Sequence, residues 1–111
     1  MLIEVLYIPG CCNHHPAIDR IRRILGAENV KSPIVEVPVN DELAAHSLQF
    51  PGSPTVRING EDVEPIRQAR CAFACRLYSD GNGLPSEATL RHAISEARYR
   101  EQDHGCNHSR R

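Results

Sequence analysis

Cys11 and Cys12 stand side by side just ahead of His14 and His15, so four nucleophilic or metal-ligating side chains fall within five residues. A cysteine attacks as its thiolate, and a segment that leads into a helix favours that anion through unpaired backbone N–H groups and the positive end of the helix dipole. Pro16 suits a first helical turn, which places Cys11 just before such a helix. His14, three residues on, has two readings. It can act on the sulfur as an imidazolium partner or hydrogen-bond donor. It can also merely fill the position where a Cys-x-x-Cys pair would carry its second, resolving sulfur. Cys12 likewise has two readings. Adjacent cysteines close a disulfide only with strain, yet they can present two sulfurs to a large thiophilic ion; alternatively, Cys12 turns into a helix–sheet interface as a small apolar residue. The spacing is poor for tetrahedral zinc and suits a two-coordinate ion such as mercury or copper(I), with Cys11, Cys12 and His14 as candidate ligands.

The remaining chemistry-bearing residues are scattered. Cys71 and Cys75 share one helix face if residues 66 to 75 are helical; if Cys75 instead begins a strand, a buried core thiol is the better description. His104, Cys106 and His108 alternate near the C-terminus, where weak adventitious metal binding is expected. His46 and His92 stand alone as surface or cap residues, and Arg20, Arg22 and Arg23 populate solvated helix faces.

Composition limits what these residues can serve. The 111 residues fit one domain with a single core, 41% of them hydrophobic and 24% charged, with a formal net charge of -1. No bulk charge for nucleic acid is present. The opening Leu2–Ile8 run lacks a basic flank, is broken by Glu4 and closed by Pro9-Gly10, so neither a signal peptide nor a membrane span is expected and a cytoplasmic location follows by default. Five cysteines in such a chain favour free thiols, for chemistry or metal binding, over a disulfide framework.

The elements that must position these residues follow from patterning. Residues 2 to 8, nearly all apolar, predict a central strand covered on both faces. Ile18, Ile21 and Leu25 recur at helical spacing, with Gly26 as the stop. Residues 34 to 39 alternate as a second strand, parallel to the first and brought near an edge by Pro38. Asn40 caps a short helix through Leu48. Thr55–Ile58 followed by Asn59-Gly60 predicts a strand entering a type I′ hairpin. The return strand is either Glu61–Glu64 or Cys75–Tyr78, with an inserted helical turn over 65 to 74. Ser86 caps a last helix carrying Leu90, Ala93, Ile94 and Ala97 on one stripe, which ends near Glu101. Residues 102 to 111 read as a disordered polar tail.

This order, with Val5–Cys11, Phe50-Pro51-Gly52-Ser53-Pro54-Thr55 and Ala74-Cys75-Arg76-Leu77-Tyr78, resembles the thioredoxin-like superfamily, in particular small bacterial glutaredoxin-sized proteins. The resemblance covers roughly residues 1 to 98 and implies a thioredoxin-like domain over residues 1 to 101, an α/β fold with a central four-stranded mixed sheet flanked by helices. It implies that Cys11 is the reactive thiol. Ser53, Pro54 and Thr55 form the cis-proline loop that binds substrate, offering the Ser53 backbone to a peptide or glutathione-like partner. This chain departs from the family pattern in having Cys12 at a proline position and His14 at the second cysteine. The implied activity is thiol–disulfide exchange through Cys11 with a small thiol or a protein disulfide. The cycle is monothiol, needs no resident cofactor, and is closed by an external thiol such as glutathione, or by Cys12 or Cys75 if either reaches. Some relatives carry the label alkylmercury lyase, so a second expectation is soft-metal binding or organomercurial processing at Cys11 and Cys12, with Asp19 a weak candidate proton donor. A third is a binding module that keeps the fold without the catalysis.

Overall fold

A computed structural model describes residues 1–66, 71–80 and 82–109, with side chains described as far as residue 101. Ile3–Tyr7 forms β1, and its alternate residues are buried on opposite sides: Ile3 and Val5 on one, Leu6 on the other. A strand this apolar on both faces belongs inside a sheet, and the sheet order is β2-β1-β3-β4. β2 (Ile34–Pro38) runs parallel to β1, with Ile3 opposite Ile34 and Tyr7 opposite Pro38. β3 (Thr55–Ile58) runs antiparallel on the other side, with Val5 opposite Val56. Pro38 therefore lies on an edge strand, where its missing N–H costs no ladder bond.

Asn59 and Gly60 turn β3 back into β4 (Glu61–Asp62) at φ 53° and 83°, the left-handed values that Asn and Gly tolerate best. Of the two return candidates, residues 61–62 take the role. Cys75 instead makes an isolated parallel bridge to Ser53, and residues 71–75 are not helical, so Cys71 and Cys75 do not share a helix face. Residues 67–70 of the expected helical turn lie outside the described residues.

α1 (His14–Ala27) and α3 (Glu87–Ser109) cover one face of the sheet. Ile18, Ile21, Ile24 and Leu25 of α1 and Leu90, Ile94 and Ala97 of α3 meet Ile3, Val5, Val56 and Ile58 there. α2 (Glu42–Ser47) covers the other face, where Ala45 joins Leu6, Val39 and Phe50. Each fully buried aliphatic or aromatic side chain contributes about 1.5–3 kcal/mol relative to exposure.

The helix ends differ from expectation by small steps that have physical causes. α1 runs one residue past Gly26 to Ala27, and Asn29, at φ 55°, closes a left-handed turn beyond its cap: its N–H bonds Gly26 O, and Val30 N–H bonds Leu25 O. α2 is capped by Asp41 rather than Asn40, because the Asp41 carboxylate accepts the Ala44 N–H at 2.7 Å. Ser86 caps α3 as expected, its Oγ accepting Thr89 N–H at 3.1 Å. α3 continues past Glu101 to Ser109, through the segment where a disordered tail is expected; the side chains of His104, Cys106 and His108 lie outside the described residues. Among the described residues no helix is long and apolar enough to cross a membrane.

Candidate active site

The chain leaves β1 through Ile8-Pro9-Gly10-Cys11, a turn in which Cys11 N–H donates to Ile8 O at 3.0 Å and Gly10 takes φ 90°. Proline second and a positive-φ glycine third are what such a turn selects. Cys11 emerges half-buried immediately ahead of α1, and its carbonyl accepts His14 N–H at 3.2 Å. Cys12 is exposed, so the interface placement considered for it does not hold; the helix buries Ala17 and Ile18 against the sheet instead. Asn13 precedes the helix without a side-chain cap bond. Its amide presses against Gly83, where any Cβ would collide with it.

His14 finds its partners outside the Cys11 segment. The residue is 7% exposed, and its ring stacks on Tyr7 of β1 with centroids 3.6 Å apart and planes within 6°. Nε2 sits 2.7 Å from Glu36 Oε1 on β2, and the exposed His15 ring stacks behind it at 4.5 Å. The imidazole thus joins the first turn of α1 to two strands, and its Nε2 is committed to a carboxylate rather than to a sulfur. Among the described residues no group of three His, Cys, Asp or Glu side chains stands close enough together to hold a metal ion.

Forty residues on, the Ser53–Pro54 bond is cis and the loop lies against the Cys11 turn: Ser53 Oγ accepts the Ile8 N–H at 2.9 Å. Ser53, Pro54 and Thr55 are all essentially buried. The Ser53 backbone is also engaged, donating its N–H to Ala74 O at 2.8 Å and accepting Arg76 N–H at 3.0 Å. The backbone edge expected to receive a partner is therefore filled by the chain's own residues 74–76. Gly52 permits this approach, since at φ 140° a Cβ would stand 2.8 Å from Arg76 Cβ.

Residues 76–78 lock the loop from beneath. Arg76, 4% exposed, forks onto Asp62 of β4 with bonds of 2.7 and 3.1 Å, donates to Glu64 O at 2.7 Å and reaches Thr55 Oγ1 at 3.2 Å. The Thr55 hydroxyl in turn donates a hydrogen bond to Gly52 O. The guanidinium carbon lies 4.2 Å from the centre of the Tyr78 ring, and Tyr78 donates its hydroxyl proton to Pro54 O. Burial pushes the Tyr78 phenol well above its ordinary value of 10.0, while the Arg76 charge pulls it partway back. Cys75, read as a buried core thiol if it began a strand, is exposed.

Sequence reasoning missed Glu36, Tyr7, Asp62 and Arg76 as framing residues. The one available signal was the alternation at 75–78, which puts Arg76 and Tyr78 on one face. No family model, no curated protein and no solved structure matches this chain.

Proposed function

We propose that this chain is a thioredoxin-like thiol protein in which Cys11 is the nucleophile of disulfide exchange. The observation that carries the reading is the meeting of three separate segments at one end of the sheet. The Cys11 turn, the Ser53–Pro54 loop and the 74–78 segment are tied together through Ile8, Ser53 and Arg76. The β1-α1-β2-α2-β3-β4-α3 order and the mixed four-stranded sheet support the thioredoxin-like assignment. Cys11 is the thiol the frame is built around: it is accessible, precedes a helix of 14 residues, and rests on a turn whose first residue is pinned by Ser53. The partner is a small disulfide or thiol, because Ser53 has no backbone group left for an extended peptide. In exchange, the Cys11 thiolate attacks one sulfur of the partner disulfide, a mixed disulfide forms, and the other sulfur leaves as thiolate.

Competitive alkylation of the reduced full-length protein near neutral pH, followed by peptide mass spectrometry, tests this. Cys11 is expected to react about tenfold or more faster than the exposed Cys71, a difference worth about 1.4 kcal/mol of barrier. Equal rates at the two positions would overturn the assignment. The exposure of Cys12 beside Cys11 supports a second reading, a two-sulfur site for a thiophilic cation such as mercury or copper(I). That reading expects one bound ion per chain, lost in Cys12→Ser.

A further inference from the structure

The Ser53–Cys75 bridge gives Cys75 a direction as well as a place. From 75 to 78 exposure alternates: Arg76 and Tyr78 are buried and turn toward Asp62, Thr55 and Pro54, whereas Cys75 and Leu77 face solvent. The bridge sets the exposed Cys75 directly beside Ser53, and the buried Ser53 side chain points to Ile8 N–H, whose own carbonyl holds Cys11 N–H. Two cysteines distant in sequence are thus linked through one buried serine, Cys75 by its backbone bridge and Cys11 by way of Ile8. Cys11 lies in a turn outside the regular helices and strands, so its backbone is the one that can adjust toward the narrow Cα separation a disulfide needs.

We infer that Cys75 is the resolving thiol of the Cys11 reaction, supplying from the 74–78 segment the sulfur that position 14 lacks. This deepens the reading of Cys11 as nucleophile and rests on it. The cycle is then a dithiol one with a low-molecular-weight disulfide, RSSR, as the oxidant. Cys11 thiolate attacks one sulfur; the Cys11–SR bond forms as the RS–SR bond breaks, and the first RS⁻ leaves and takes a proton from water. Cys75, having lost its proton to solvent, attacks Cys11 Sγ; the Cys11–Cys75 bond forms and the second RS⁻ leaves. The protein dithiol loses two electrons and RSSR gains them. Cys12 is the poorer resolver despite its proximity, because a disulfide between neighbours in sequence is strained.

The test uses full-length reduced protein, oxidised glutathione as the probe, acid quenching through a time course, and peptide mass spectrometry. In the unsubstituted protein the Cys11 glutathione adduct is expected to be transient and to give way to a Cys11–Cys75 linked peptide pair. In Cys75→Ser the adduct is expected to persist at least about tenfold longer, whereas Cys12→Ser resolves at the original rate. Both substituted positions are exposed, and circular dichroism of each variant checks the fold. If Cys11 forms its adduct but Cys75→Ser leaves the lifetime unchanged, or the linked pair is Cys11–Cys12, the resolving role is overturned and Cys11 as nucleophile survives. If Cys11 forms no adduct faster than Cys71, both fall.

Discussion

The Cys11 turn and the Ser53–Tyr78 clamp face each other across the same end of the sheet, yet they are held in opposite ways. Around Cys11 the backbone makes a turn bond to Ile8 and one to His14, the thiol is half-buried, and Cys12 beside it is open to water. Around Ser53, buried backbone and side-chain groups are tied to Ile8, Ala74, Arg76, Asp62, Glu64 and Tyr78. Under the proposed exchange at Cys11, a sulfur that trades partners needs access and some freedom, while a surface that orients it gains from rigidity. The contrast separates residues whose loss unfolds the protein from residues whose loss changes only its chemistry.

The largest expected effect falls on the clamp. Arg76→Ala deletes a fork whose Asp62 partner is only 17% exposed, and it removes the packing over Tyr78. Leaving a largely buried carboxylate unpaired is expected to cost about 3 kcal/mol, read as a fall of roughly 10–20 °C in melting temperature. A loss of under about 1 kcal/mol would mean that the clamp is an ornament of the surface rather than its frame.

A smaller effect is expected at Tyr78, and it depends on pH. The folded protein holds the phenol protonated above its ordinary value of 10.0, so the unfolded chain gives up that proton first as the solution becomes alkaline. The folded state then binds more protons than the unfolded one. Stability from this group is complete below pH 10.0 and declines as pH rises above it. Tyr78→Phe is expected to flatten that alkaline decline while lowering stability near neutral pH by about 1–2 kcal/mol through loss of the bond to Pro54 O. Urea unfolding of both proteins at neutral pH and above pH 10.0 reads the two effects together. An alkaline slope that is the same in both would place its origin elsewhere.

The same contrast separates what the sequence discloses from what it hides. β1 is legible because a run apolar on both faces has few homes, and Asn59-Gly60 because few residue pairs accept two consecutive positive φ values. Ser86 is legible because its cap bond is local. The placement of Cys75 is not, because nothing in its neighbours says that Ser53 rather than β3 will receive the segment. The left-handed residue that closes the end of α1 is Asn29 rather than Gly26 for a related reason: the Leu25 and Gly26 carbonyls are met by the N–H groups of Val30 and Asn29, and an asparagine tolerates the positive φ. His14 was read along the helix toward Cys11, whereas its partners, Tyr7 and Glu36, come from two strands.

His14 is also where the comparison is most finely balanced, since it sits in the open region and is held like the closed one. If its task is to dock α1 onto β1 and β2, an aromatic ring without nitrogen should keep most of its value. His14→Phe retains the stack on Tyr7 and gives up only the bond to Glu36, whose side chain is 41% exposed and can turn back to water. The expected cost is under about 1 kcal/mol, whereas His14→Ala, which loses ring and bond together, is expected to cost about 2 kcal/mol. The rate of alkylation at Cys11 supplies the readout that packing does not move. With Nε2 committed to Glu36, the rate in His14→Phe is expected to stay within about twofold of the original protein; a tenfold fall, about 1.4 kcal/mol, would return the imidazole to the reaction.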